Sequence, residues 1–137
     1  MMKEKKTFQP LQSSGVCLIY KLLVKHGYVS FPITPQAEFK IDAIVSSITG
    51  AYFGEEIYKT HEEKALAYLY FLIKDHPFTD GNKRTASLAF EVVCDLNKLQ
   101  PDYAGSTLDV WAVFIEKIHE QDHQSVIKML SKVIFKT

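Results

Sequence analysis

Nine consecutive residues hold the side chains whose types and spacing could do chemistry. They read His76-Pro77-Phe78-Thr79-Asp80-Gly81-Asn82-Lys83-Arg84 and stand at the entry to a predicted helix. Gly81 permits close approach of the backbone to a ligand, and the free amides of a first helical turn attract an anion, reinforced by the helix dipole. Lys83 and Arg84 add charges that a phosphate can pair with. The segment therefore predicts a phosphate site.

His76 and Asp80 supply what such a site needs for a reaction. Mg²⁺ takes one or two carboxylates and leaves its other positions to water and phosphates, so Asp80 is the candidate metal ligand. An imidazole titrates close to neutral pH, and His76 could take the proton from an attacking hydroxyl. Taken singly, each of these residues could belong to an ordinary turn or helix cap. Their combination in one short segment favours transfer chemistry.

Two helices that are apolar on nearly every face must position this segment. Thr60-His61-Glu62-Glu63 is a capping box that predicts a helix start, and the apolar pattern continues to Ile73. After the segment, a helix predicted from Asn82 to Asn97 has only one narrow polar stripe. Helices with this pattern are surrounded by others, which predicts a bundle around them.

The rest of the chain predicts more helices and almost no strand. The further helical patterns cover about 15–27, 38–48, 107–119 and 122–135. Phe53 to Lys59 is the one candidate for a short β-hairpin, with Gly54 near its turn. The predicted fold class is all-α, a compact helical bundle. The length suits one domain over residues 1–137, with residues 1–13 as a loose N-terminal extension.

Composition restricts the partners. Sixteen Lys and Arg residues balance sixteen Asp and Glu residues, and this zero net charge disfavours nucleic acid and anionic membranes as partners. The longest apolar run, Ala65 to Ile73, is about half of the roughly 20 residues that cross a bilayer. The N-terminus does not resemble a secretory signal, and Cys17 and Cys94 lie in apolar helical patterns. We expect a cytoplasmic protein.

Residues 76–84 resemble the signature of the Fic/Doc family, His-Pro-Phe-x-Asp/Glu-Gly-Asn-Gly/Lys-Arg. From about Glu38 to Lys136 the chain also resembles the helical Fic core in order and size. The resemblance implies a transferase that moves a phosphate-containing group from Mg²⁺-ATP, or another nucleoside triphosphate, to a Ser, Thr or Tyr hydroxyl of a target protein. It also implies that the segment 53–59 is a flap that holds the target.

The same resemblance assigns roles to single residues. It implies that His76 is the base that activates the hydroxyl and that Asp80 is the Mg²⁺ ligand. Gly81 and Asn82 would form part of the anion hole, with Lys83 beside it. Arg84 would contact a phosphate, and Phe78 would anchor the loop in the core.

Departures from the family pattern bear on which group is transferred. Lys83 in place of glycine, and Ser87 in place of a second arginine, are similar to the Doc form and favour phosphoryl transfer. Pro77 and Gly81 follow the Fic form instead, which keeps protein adenylyltransferase (AMP transfer) as the alternative. The similarity to toxins of toxin-antitoxin pairs implies a separate antitoxin-like inhibitor, since residues 34–39 match the family's inhibitory pattern only in part.

Two other functions compete with this interpretation. His119-Glu120-Gln121-Asp122-His123 formally matches a zinc-protease pattern, but no candidate third ligand follows it and it spans a predicted helix boundary at Asp122. We interpret it as a turn between helices. A Fic-like fold without transfer activity could also serve as a binding or regulatory module. The intact His76, Asp80, Asn82 and Arg84 argue against that.

Overall fold

The computed structural model describes residues 7–52, 55–119 and 122–136. Six helices make up most of these residues: α1 (Ser13–Lys25), α2 (Pro35–Thr49), α3 (His61–Lys74), α4 (Asn82–Leu96), α5 (Leu108–Lys117) and α6 (His123–Ile134). The strands β1 (Ala51–Tyr52) and β2 (Glu55–Glu56) form one short antiparallel pair. The prediction of an essentially all-α fold is confirmed.

Polar side chains begin several of the helices where the sequence predicts them. The Thr60 hydroxyl accepts a hydrogen bond from the Glu63 amide at 3.0 Å and donates to the Glu63 carboxylate at 3.2 Å. Asp122 accepts from the amides of Gln124 and Ser125 and so begins α6. These caps explain why α3 and α6 begin at the predicted positions.

Helix α2 begins earlier than the predicted Glu38. Its first residue is Pro35, and the Thr34 hydroxyl accepts from the amide of Ala37 at 3.1 Å. Proline needs no hydrogen-bond acceptor at the first helical position, so it starts this helix. Proline prevents only the continuation of a helix that began at earlier residues.

Helix α3 is the centre of the fold and packs against α2, α4, α5 and α6. Its side chains from Lys64 to Tyr70, and those of Leu72 and Ile73, are buried. Burial of each large apolar side chain stabilises the fold by about 1.5–3 kcal/mol. Since α3 ends just before the segment 76–84 and α4 begins within it, the loop that carries the chemistry is attached at both ends to buried helices.

The residues before α1 are held against the bundle. The Gln9 amide donates to the Asn97 side chain at 2.7 Å, and that side chain donates back to the Gln9 carbonyl at 2.9 Å. The Tyr68 hydroxyl donates to the Leu11 carbonyl at 2.8 Å. From Gln9 onward the segment thus differs from the loose extension expected over 1–13, and residues 1–6 lie outside the described part of the chain.

The short hairpin lies slightly earlier than the predicted segment 53–59. Ala51 pairs with Glu56 and Tyr52 with Glu55, while Phe53 and Gly54, expected near the turn, lie outside the described residues. Within the described ranges, no helix is both long and apolar enough to cross a membrane.

Candidate active site

In the loop between α3 and α4, an exposed histidine is followed directly by buried residues. His76 adopts a left-handed backbone conformation with φ of 44° and is exposed. The next two residues, Pro77 and Phe78, are buried. The Phe78 ring stacks on the Tyr20 ring of α1, with centroids 3.8 Å apart and planes at 9°. The predicted anchoring role of Phe78 has a physical basis in this stack.

Tyr20 supports the loop through its contact with Phe78, a role that the sequence pattern did not indicate. Its hydroxyl donates to the Phe31 carbonyl at 2.6 Å, which ties α1 to the connection that follows it. Burial, with a smaller contribution from the Asp80 carboxylate, raises the pKa of Tyr20, so its hydroxyl stays neutral. The apolar periodicity of α1 predicts that Tyr20 is buried but cannot identify Phe78 as its partner.

Asn82 closes the loop with its side chain. Its Oδ1 accepts from the Phe78 amide at 2.9 Å, and its Nδ2 donates to the Phe78 carbonyl at 2.9 Å. Both ends of the side-chain amide are therefore used to hold the backbone. The backbone amide of Asn82, in the first turn of α4, is available for an anion hole.

Gly81 is required at the start of α4 by conformation and by space. Its φ is 83°, and a Cβ atom placed there would lie 2.7 Å from Cγ2 of Val29. The Gly81 amide donates to Asp80 Oδ1 at 2.8 Å, which orients the carboxylate beside the helix start. The Gly81 carbonyl accepts from the Thr85 amide at 2.9 Å. The three amides before Thr85 have no carbonyl one turn earlier within the helix and can receive an anion.

The loop and the first turns of α4 line a cavity of about 970 Å³. All six sequence-predicted site residues line it: His76, Asp80, Gly81, Asn82, Lys83 and Arg84. Ser87 lies on the same wall. The fold thus brings together every residue that the spacing of the motif singled out, in a cavity large enough for a nucleotide.

The two cations of the motif contact residues that the sequence did not connect with the site. Lys83 Nζ lies 3.1 Å from Oε1 of Glu116, which belongs to α5. The Arg84 guanidinium lies over the Tyr28 ring, 5.0 Å from its centroid. Both partners are distant in sequence, and no local pattern signals either contact.

Carboxylates also line this cavity. Asp80, Glu91, Asp109 and Glu116 are four acidic side chains against the two cations Lys83 and Arg84. Acidic side chains therefore outnumber the cations around the cavity, although the chain as a whole carries no net charge. A phosphate there would depend on the helix amides and on any bound metal as well as on the side-chain cations.

The segment 119–123 begins after α5 has ended and reaches the first residue of α6. Helix α5 ends at Lys117, before His119, whereas His123 is the first residue of α6. His123 Nδ1 lies 2.8 Å from the hydroxyl of Tyr58, whose pKa burial raises to about 12. Glu120 and Gln121 lie outside the described residues. The helix boundary predicted at Asp122 is confirmed, so the two histidines do not share one helix.

Comparison with known families matches residues 10–94 to the model of the Fic/DOC family. The match spans more than half of the 137 residues and contains the whole motif loop. The chain belongs to the Fic/DOC family. Members are typically protein-modifying transferases that use a nucleoside triphosphate with Mg²⁺. The comparisons with curated proteins and with solved structures gave no match.

The family match ends at Cys94, near the end of α4. Helices α5 and α6 follow it, and with them Glu116, which contacts the motif from outside the matched region.

Proposed function

We propose that this Fic/DOC protein transfers a phosphoryl group from Mg²⁺-ATP, or another nucleoside triphosphate, to a Ser, Thr or Tyr hydroxyl of a target protein. The observation that carries the proposal is the position of His76, Asp80 and the first turn of α4 around one cavity. With this arrangement, His76 would act as a proton acceptor beside an anion site at the start of α4. In the proposal, residues 1–137 act as one Fic/Doc-like domain.

His76 is the proposed base. The target hydroxyl oxygen would form a bond to the γ-phosphorus while the bond from that phosphorus to the leaving oxygen of ADP breaks. The hydroxyl proton would pass to the imidazole of His76. His76 is exposed at the cavity, so a hydroxyl on another protein can reach it.

The start of α4 would stabilise the charge that the reaction develops on the phosphate. Backbone amides of its first turn, together with Lys83 and Arg84, would bind the phosphate oxygens. The loop backbone that leads into these amides is held before ligand binding, because the Asn82 side chain binds the Phe78 backbone and Phe78 stacks on Tyr20.

Asp80 fits the Mg²⁺ that the family implies. Its carboxylate is exposed at the cavity, is an oxygen ligand of the kind Mg²⁺ prefers, and adjoins the anion site. When bound, Mg²⁺ would neutralise part of the charge of the phosphates. Asp80 would hold it, and the Gly81 amide would orient that carboxylate.

Phosphoryl transfer is preferred over AMP transfer because of Lys83 and Ser87. Lys83, at the second position of α4, would narrow the anion site and add a charge to it. Ser87 lines the cavity where the resemblance implies an arginine in AMP-transferring proteins. AMP transfer remains the second candidate, because Pro77 and Gly81 follow the Fic form of the motif. Pro77 is buried, and a Cβ atom at Gly81 would lie 2.7 Å from Val29.

The position of a radioactive label distinguishes the two reactions. The protein is incubated with Mg²⁺ and with ATP labelled on the α- or the γ-phosphate, with cell lysate as target. Label from the γ-phosphate alone on target protein supports phosphoryl transfer, and label from the α-phosphate establishes AMP transfer. Absence of both labels, with the protein folded, contradicts the proposal and favours an inert binding module.

A role as the toxin of a toxin-antitoxin pair is part of the proposal. Such a protein would be restrained by a separate antitoxin-like partner. To test this role, the protein is expressed with and without its neighbouring genes, and the growth of the host cells is measured.

A further inference from the structure

The ion pair between Lys83 and Glu116 joins the motif to a helix outside the family match. We propose that Glu116 is an internal counter-anion that nucleotide phosphates must displace from Lys83, and that it thereby lowers the affinity of the cavity for nucleotide. The inference deepens the proposed function and rests on it insofar as the ligand is a nucleotide.

Both partners oppose the dipole of their own helix. Lys83 is the second residue of α4, where the positive helix end disfavours a cation. Glu116 lies in the last turn of α5, where the negative end disfavours an anion. Each side chain is therefore placed where it needs an opposite charge. For Lys83, that charge is supplied either by Glu116 or by a phosphate at the start of α4.

Glu116 is held at this place by neighbouring residues at the end of α5 and just after it. Ile115 is fully buried, and the Ile118 carbonyl accepts a hydrogen bond from Lys74 of α3 at 2.6 Å. The backbone on both sides of Glu116 is thus attached to the bundle. When a nucleotide binds, the carboxylate stays near the cavity even if its side chain turns away from Lys83.

The sign of the effect follows from electrostatics. A phosphate at the start of α4 and the Glu116 carboxylate would be two anions that compete for one ammonium and repel each other. The Lys83 and Glu116 side chains are 40% and 36% exposed, so the pair adds little to stability and is screened by salt. Removal of the Glu116 charge should therefore tighten nucleotide binding and leave folding nearly unchanged.

The test is a set of dissociation constants measured by titration calorimetry with two probes, Mg²⁺-ATP and inorganic tripolyphosphate. The variants are Glu116→Gln, Lys83→Gln and the double variant. Asp109→Asn is the matched control, because Asp109 lines the same cavity from the same helix. No described ion pair joins it to Lys83. The melting temperature of each variant is measured in parallel.

We expect Glu116→Gln to bind both probes about two- to fivefold more tightly than the wild type. Asp109→Asn should change binding less. The gain from Glu116→Gln should be smaller in the Lys83→Gln background, where only the direct repulsion between carboxylate and phosphate remains to be removed. Higher salt should shrink the gain.

An unchanged or weaker affinity in Glu116→Gln overturns the inference, as does an equal gain in the Lys83→Gln background or in Asp109→Asn. Absence of binding of both probes to the wild type and to Glu116→Gln overturns it too. Failure of label transfer alone, with tighter tripolyphosphate binding by Glu116→Gln, would contradict the proposed function and leave the inference standing.

Discussion

The segment 76–84 has a buried face and an exposed face, and they differ in what holds them. On the buried face, Phe78 stacks on Tyr20, Gly81 fits against Val29, and the Asn82 side chain binds the Phe78 backbone. On the exposed face, the reactive side chains meet solvent or single partners. This face consists of His76, Asp80, Lys83 and Arg84. The core therefore shapes the loop, and substitutions on the two faces should separate stability from activity.

Phe78→Ala should produce the largest loss of stability. It removes a side chain that is 6% exposed and stacked on Tyr20, so we expect the free energy of unfolding to fall by about 3–5 kcal/mol. Urea unfolding followed by circular dichroism measures the change. Phe78→Leu, which keeps most of the apolar volume, should lose less than about 1.5 kcal/mol. A loss below about 1 kcal/mol in Phe78→Ala would show that the buried face does not hold the loop.

Gly81→Ala should cause the next largest loss of stability. Gly27→Ala is its matched control. Both glycines have φ near 80°, where alanine costs about 1–2 kcal/mol. An added Cβ at Gly27 meets nothing within 4 Å, whereas at Gly81 it would lie 2.7 Å from Val29. We expect Gly81→Ala to lose about 1–3 kcal/mol more than Gly27→Ala, because of this overlap. Equal losses in chemical denaturation would mean that the contact with Val29 is unimportant.

Asn82→Ala should cause a smaller loss of stability than the two preceding substitutions on the buried face. It leaves the amide and the carbonyl of Phe78 without their side-chain partner, which costs about 1–3 kcal/mol where these groups are shielded from water. Asn82→Asp keeps an acceptor for the Phe78 amide and should lose less. Thermal unfolding of the two variants compares them, and a loss in Asn82→Asp as large as in Asn82→Ala would contradict the assigned bonds.

The sequence predicts the parts of this molecule that depend on local patterns. Capping residues such as Thr60 and Asp122 begin their helices as expected, and the apolar faces of α3 and α4 correctly indicate two buried helices. The composition of the loop identifies the motif side chains that line the cavity. These features can be predicted because each depends on residues that lie only a few positions apart in the sequence.

Contacts between distant residues were not predicted. The partners of Phe78, Lys83 and Arg84 are Tyr20, Glu116 and Tyr28. Each belongs to a distant part of the chain that only the packed bundle brings to the loop. The early start of α2 was missed for another reason, because proline interrupts a helix but can also begin one.

The most direct test of the central claim is the rate of label transfer from Mg²⁺-ATP to target protein by the wild type and by His76→Ala. His76 is exposed, so the substitution should leave the melting temperature and the affinity for Mg²⁺-ATP nearly unchanged. Loss of the base should lower the rate by about 10²–10⁴-fold. Transfer by a folded, nucleotide-binding His76→Ala variant at the wild-type rate would contradict the claim that the exposed face of this loop carries the chemistry.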